Sequence, residues 1–317
     1  MLRAFRPMNG SLKQHPESDS QSLAQLRDSL WLDLVDASED EREQIKRFSK
    51  AELPDADDFG EIESSARYFV DPNGVHIHSL HLYQSEGRHY TATVAFLLQP
   101  GRLISVRDTE LADFRLFRMR ARHGLVSADS PETVLLSVLE QKVENLADTL
   151  EDLHVKLENV SHMVLEDPEA ELEDSISELA RLEDSNGKIR LCLMDTQRAL
   201  SFVIRQLRNR EIIQETSREI FRDLDTLLSH TTFLFEKINF LMDTAQGFIN
   251  IEQNQIIKTF SIAAVVFLPP TLIASIYGMN FRVMPELDWT YGYPAALGLM
   301  VLAGIAPYWF FKRKGWL

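Results

Sequence analysis

A stripe of residues near the C-terminus has the spacing of a single surface. Stepping back from Gly278 by three and four places Ser275, Thr271, Leu268, Ala264 and Ser261 on one helix face, with Ile257 and Asn254 below them. Most of these are small or polar, whereas Val265, Val266, Phe267, Leu272 and Ile276 beside them are bulky and apolar. Small or polar side chains facing a bundle axis serve either close helix packing or the lining of a pore, and periodicity alone does not choose. Pro269-Pro270 removes two backbone donors within the stripe, which bends the helix or leaves carbonyls free toward the interior. The stretch closes on Tyr277-Gly278-Met279-Asn280, which ends in a neutral amide.

Other chemistry is sparse. His76, His78 and His81 invite a metal reading, but on a regular strand His81 points away from the other two, so they read as ordinary strand histidines. Cys192 is the single cysteine, which excludes an intrachain disulfide and a multi-thiolate metal site and reads as a small buried residue. No Walker loop, dinucleotide fingerprint or nucleophile elbow occurs, so the sequence points away from an enzyme and from an organic cofactor.

The elements that carry the stripe are apolar and long. Residues 259–281 and 289–311 are two runs of 23 residues without a charge. Each exceeds the roughly 20 residues needed to cross a bilayer core, and the short connection between them makes a helical hairpin. Lys258 and the run Lys312, Arg313 and Lys314 flank its ends, so the positive-inside rule puts both termini in the cytoplasm. Trp289, Tyr291, Tyr293, Tyr308, Trp309 and Trp316 fall where interfacial aromatic residues belong. Residues 1–20 hold no apolar stretch resembling a signal peptide, which leaves about 250 residues in the cytoplasm.

That cytoplasmic part changes grammar along its length. Trp31–Val35, Arg67–Val70, Val75–Tyr83, Tyr90–Leu98 and Leu103–Val106 read as strands, punctuated by Asp71-Pro72-Asn73-Gly74 and Gln99-Pro100-Gly101-Arg102. A helix over Glu39–Lys50 flanks them, giving a small α/β domain over residues 1–126. Leu135, Leu139, Val143, Leu146, Leu150, Leu153, Leu157, Val160 and Val164 then step by four and three. After Pro168 a second seam passes through Leu172, Ile176, Leu179, Asn186, Leu193, Leu200 and Leu207, so 127–215 forms an antiparallel helical hairpin. A third seam, Ile220, Leu224, Leu227, Leu234, Ile238, Leu241, Ala245 and Phe248, runs over 216–258 straight into the first span. A continuous helix from Ser217 to Ile276 would be about 90 Å long and needs partners, either the hairpin or copies of itself.

Charge is as uneven as hydropathy. The 317 residues carry a formal net charge of -15, which disfavours nucleic acid and leaves cationic partners open. Residues 140–184 hold 15 acidic residues against 3 basic ones, whereas 281–317 hold four basic against two acidic. The acidic run is a solvated helix face, or a field that draws divalent cations toward a pore and opposes its basic flank.

The Tyr277-Gly278-Met279-Asn280 motif between two spans, followed by Met284-Pro285-Glu286-Leu287, a second span and the basic tail before Trp316-Leu317, resembles the CorA-type magnesium transporters. The resemblance reaches through the stem helix and, more loosely, the whole chain. It implies an α+β cytoplasmic domain with a long hairpin and stem, a two-helix transmembrane hairpin, and a homopentameric funnel around one pore in the cell inner membrane. The pieces are then a pore-lining span at 259–281, an extracytoplasmic loop at 282–291, a second span at 292–311 and a cytoplasmic tail at 312–317. Tyr277, Gly278, Met279 and Asn280 become the selectivity filter. Mg²⁺ holds its waters tightly, so five neutral Asn280 amides can bind the hydrated ion without trapping it. Asn254 and Thr271 add polar rings, and Ile257 and Leu268 become apolar constrictions where some relatives carry methionine. Asp243 stands where the family has an acid that binds regulatory Mg²⁺ between subunits. Co²⁺ and Ni²⁺ are implied as further substrates; a Zn²⁺ transporter of the same architecture and a membrane-anchored coiled-coil scaffold are the competing readings.

Overall fold

A computed structural model describes residues 1–8, 11–15, 26–49, 53, 67–126, 128–167, 171–207, 211–280, 284–285 and 288–315. Lys50, Pro168, Arg282, Glu286, Leu287, Trp316 and Leu317, used above, lie outside them. The chain divides into two units, Met1–Met242 and Asp243–Leu317.

The first unit begins with a seven-stranded sheet: β1 (Leu2–Met8), β2 (Ser11–Gln14), β3 (Trp31–Val35), β4 (Tyr68–Asp71), β5 (Gly74–Ser85), β6 (Arg88–Gln99) and β7 (Arg102–Arg107). Their order is β2-β1-β3-β7-β6-β5-β4, and every pairing is antiparallel except β3 with β7. The turn entering β5 admits only glycine at its tightest point. A Cβ on Gly74, whose φ is +154°, would lie 2.4 Å from the Leu98 carbonyl oxygen. Strands β1 and β2 are additions to the reading of the sequence. Arg3, Arg6 and Lys13 break up their apolar pattern, yet Leu2, Ala4, Phe5 and Leu12 are buried.

Alternation along the strands builds two faces. One packs Leu2, Ala4, Leu32, Leu34, Ala95, Leu97, Ile104 and Val106 against Ile45 of α1 (Glu39–Ser49) and Leu26. The other stacks Trp31 on Phe5, with ring centroids 4.5 Å apart, under Phe114 and Phe117 of α2 (Ala112–Arg122).

Helix α3 (Pro131–Glu166) starts at a capping box in which Ser130 and Thr133 satisfy each other's backbone N–H groups, with Pro131 at the first turn. All nine residues of its seam are buried. It packs on α4 (Leu172–Gln206), whose Leu179, Asn186, Leu193 and Leu200 are buried. Helix α5 (Glu211–Tyr277) is continuous for 67 residues and begins five residues before the boundary set at 216. In the first unit its Ile220, Leu224, Leu234, Ile238 and Leu241 are buried, and the Asn186 amide donates to the Thr231 carbonyl at 3.0 Å.

The second unit contains the end of α5 and α6 (Gly292–Arg313). The run Gln214–Tyr277 and α6 are long and apolar enough to cross a membrane. Helix α6 continues two residues past the boundary at 311, because Lys312 and Arg313 sit favourably at a helix C-terminus.

Candidate functional site

Within the second unit, α5 has two distinct faces. Ile262 is buried, and Ala263, Val266, Pro269, Pro270, Ile273 and Tyr277 are half-buried. At Gly304 of α6, an added Cβ would meet Pro270 Cγ at 3.5 Å and the Val266 carbonyl oxygen at 3.7 Å, so this face lies on α6. Asn254, Ile257, Ser261, Ala264, Leu268, Thr271 and Ser275 are all exposed. At about 100° per residue, their mean direction is roughly opposite the face on α6. The stripe is therefore not used for packing within the hairpin.

Pro269 and Pro270 do not end the helix, which runs through them. They leave the carbonyls of Val265 and Val266 without helical donors. That of Val266 lies toward Gly304 of α6, so it is not turned to the stripe. Thr271 donates its hydroxyl to the Phe267 carbonyl at 2.8 Å, which leaves its oxygen lone pairs to accept from outside the helix.

The helix closes at the motif. Gly278 donates to the Ala274 carbonyl at 2.9 Å and Met279 to that of Ile276 at 3.2 Å. An added Cβ on Gly278 would sit 3.1 Å from the Ala274 carbonyl oxygen, tight enough to disturb this last turn. Asn280 follows outside the helix and is exposed.

Asp243 is exposed on α5 and, by helical angle, continues the direction of the stripe. Asn250 bridges the two at helical spacing and is also exposed; the stepping back stopped at Asn254, although its period extends further. Lys258 is exposed on α5, and Lys312, Arg313 and Lys314 are exposed at the end of α6, where Arg313 lies 5.3 Å from the Trp309 ring. A single chain brings Asn254 through Ser275 onto one helix face that leads to Asn280. It does not by itself form a ring.

Two buried polar networks in the first unit escaped the sequence reading. Asp33 of β3 accepts from Ser105 at 2.7 Å and pairs with Arg107 of β7, whose guanidinium lies 3.9 Å from the Phe114 ring. Burial raises the Glu110 carboxyl, but Arg118, Arg107 and Arg3 outweigh it and hold it at about 2. Behind the sheet, Asp195 of α4 accepts from Tyr68 at 2.7 Å, Ser79 at 2.9 Å and the Leu80 amide at 2.7 Å, and lies 3.7 Å from buried Lys142. His81 engages Asp113 at 2.5 Å and so does not join His76 and His78. Cys192 is buried, and burial pushes its thiol up to about 11. These groups are committed to one another inside the fold.

Residues 27–313 match the family described as CorA-like Mg²⁺ transporter protein. The chain is 48% identical over 319 residues to the magnesium transport protein CorA of Yersinia pseudotuberculosis, covering 100% of both chains. It is 47% identical to the protein of that name from Escherichia coli strain K12, with the same coverage. The complete structure of the CorA magnesium transporter from Methanocaldococcus jannaschii superposes with a TM-score of 0.75 at 18% identity, covering 100% of this chain and 99% of that one. The full-length match agrees with two apolar helices, the first closing on Gly-Met-Asn, and the chain belongs to the CorA family of Mg²⁺ transporters, which are transport proteins and not enzymes.

Proposed function

We propose that five copies of the chain enclose one pore in the cell inner membrane and that Mg²⁺ enters the cytoplasm through it. The observation that carries this reading is the exposed stripe of α5, turned away from α6 and ending at Gly278-Met279-Asn280. Phe233, Phe240, Phe248 and Ile251 are also exposed on α5, which supports self-association along the stem.

In this reading five Asn280 amides form the outer filter and bind Mg²⁺ through its retained waters, braced by Tyr277, Gly278 and Met279. Thr271 and Asn254 offer polar rings along the path. Leu268 and Ile257 narrow it with apolar side chains that gate by excluding water, and Ser261, Ala264 and Ser275 keep the remaining wall small. An inward potential of 100 mV contributes about 4.6 kcal/mol to a doubly charged ion, so no nucleotide energy source is needed. Co²⁺ and Ni²⁺, read by the same water shell, pass through the same filter.

Cytoplasmic Mg²⁺ acts as the regulator. Asp243 carboxylates brought together at subunit contacts repel, and a divalent cation relieves that repulsion and favours the closed state. The acidic hairpins concentrate divalent cations and offset the basic ring of Lys258, Lys312, Arg313 and Lys314.

Uptake into Mg²⁺-starved cells, with and without excess Zn²⁺, tests the substrate. Mg²⁺ uptake that persists against Zn²⁺ fits the proposal; Zn²⁺ uptake that excludes Mg²⁺ would mark a zinc transporter. A chain that moves neither ion would be a membrane-anchored scaffold.

A further inference from the structure

Where α5 passes α3, two imidazoles face each other. His230 Nε2 on α5 lies 3.4 Å from His154 Nδ1 on α3, with ring centroids 5.4 Å apart. That spacing is longer than the roughly 2.7–3.2 Å of an ordinary N–H···O hydrogen bond. It matches another geometry. Two nitrogens bound to one tetrahedral metal at about 2.0–2.1 Å sit about 3.3–3.4 Å from each other.

Charged groups from both helices flank the pair. The other nitrogen of His154, Nε2, lies 3.8 Å from the Glu158 carboxylate, within ion-pair distance but beyond a direct hydrogen bond. Lys237 of α5 pairs with Glu158 and spans the same two helices. Burial and the neighbouring His154 lower the His230 pKa, while Glu151, one turn before His154, acts in the opposite sense. A neutral imidazole is the metal-binding form, and this shift favours that form of His230. Among the described residues no third His, Cys, Asp or Glu is gathered with the pair, so the protein offers two ligands here.

We propose that His154 and His230 form a two-histidine site for a borderline divalent cation, Zn²⁺, Ni²⁺ or Co²⁺, that ties the stem helix to the acidic hairpin. Nitrogen ligands select these ions over Mg²⁺, which demands oxygen. The site therefore differs in chemistry from the pore and from Asp243. It would let a transition metal reach the stem without competing with Mg²⁺.

Zn²⁺ is titrated calorimetrically into the untagged full-length protein in detergent under saturating Mg²⁺. One Zn²⁺ per chain is expected, with affinity falling at least tenfold in His154→Gln and in His230→Gln. His162→Gln, which removes an exposed histidine paired with Glu166 on the same helix, leaves it unchanged. His230→Cys keeps a zinc ligand and retains binding within tenfold of the parent, which separates lost ligation from lost folding. Displacement of Zn²⁺ by Mg²⁺, parental affinity in either Gln variant, or loss in His162→Gln equal to that in the pair would overturn the proposal.

Discussion

The two units place charge and apolar surface in opposite ways. In the first, Asp33, Arg107, Lys142 and Asp195 are buried among apolar side chains and matched to partners. In the second, only Ala245, Ile262, Gly292 and Ala296 are buried among the described residues, while Phe267, Leu268, Leu272, Val301, Leu302 and Trp309 are exposed. The first is a water-soluble fold that completes its own interior. The second leaves most of its apolar surface open, and among the described residues the face it closes is the one between α5 and α6; in the proposed function lipid and other copies cover the rest.

Variants of the first unit should therefore act through stability. Asp33→Ala leaves Arg107 buried beside a vacated carboxylate, and the loss of about 3–5 kcal/mol should appear in denaturant unfolding as a collapse of the sheet domain. A loss below about 1 kcal/mol would mean that water reaches Arg107. Leu150→Ala, which opens a cavity in the fully buried α3 seam, should cost about 2–5 kcal/mol.

A third test separates the units by pH. Burial lowers His81 against the pull of Asp113, and burial with the charges of His76 and Arg67 lowers His78 to about 4. Both pKa values lie below the unfolded value of about 6.5, so the folded state binds fewer protons. The stability they contribute is present above that pH and is lost as pH falls toward 4. Melting of the first unit should drop across this window, and His78→Phe should flatten the slope; an unchanged slope would reassign it to other groups.

The smallest stability effects belong to the second unit. Asp243→Ala should leave melting nearly unchanged, because the carboxylate is exposed, yet raise the internal Mg²⁺ needed to stop flux. Leu302→Ala, on an exposed face of α6, should alter stability in detergent by no more than about 0.5 kcal/mol. A change as large as that of Leu150→Ala would place a protein contact on that face.

What could be read from the sequence follows the range of each interaction. The α3 seam, the turns joining β4 to β5 and β6 to β7 and the two apolar runs depend on residues a few positions apart, and local periodicity exposes them. Asp33 pairs with Arg107 across 74 positions, and nothing near either residue announces the other. The same holds for Tyr68 and Asp195, 127 apart. Strand β1 was hidden because Arg3 interrupts its pattern, although that guanidinium is held by Glu110. The third seam was legible as a period, but the period does not say where its burial ends. Ala245 is buried but Phe248 is exposed. The stripe itself was visible; that it does not pack on α6 was not, since its spacing alone does not say which face the second helix covers.

Mg²⁺ flux into proteoliposomes holding the purified chain or Asn280→Ala, with assembly checked by size, bears most directly on the pore. The account predicts Mg²⁺ entry driven by an inside-negative potential for the parent and its loss in Asn280→Ala at unchanged assembly. Equal flux through both would contradict it.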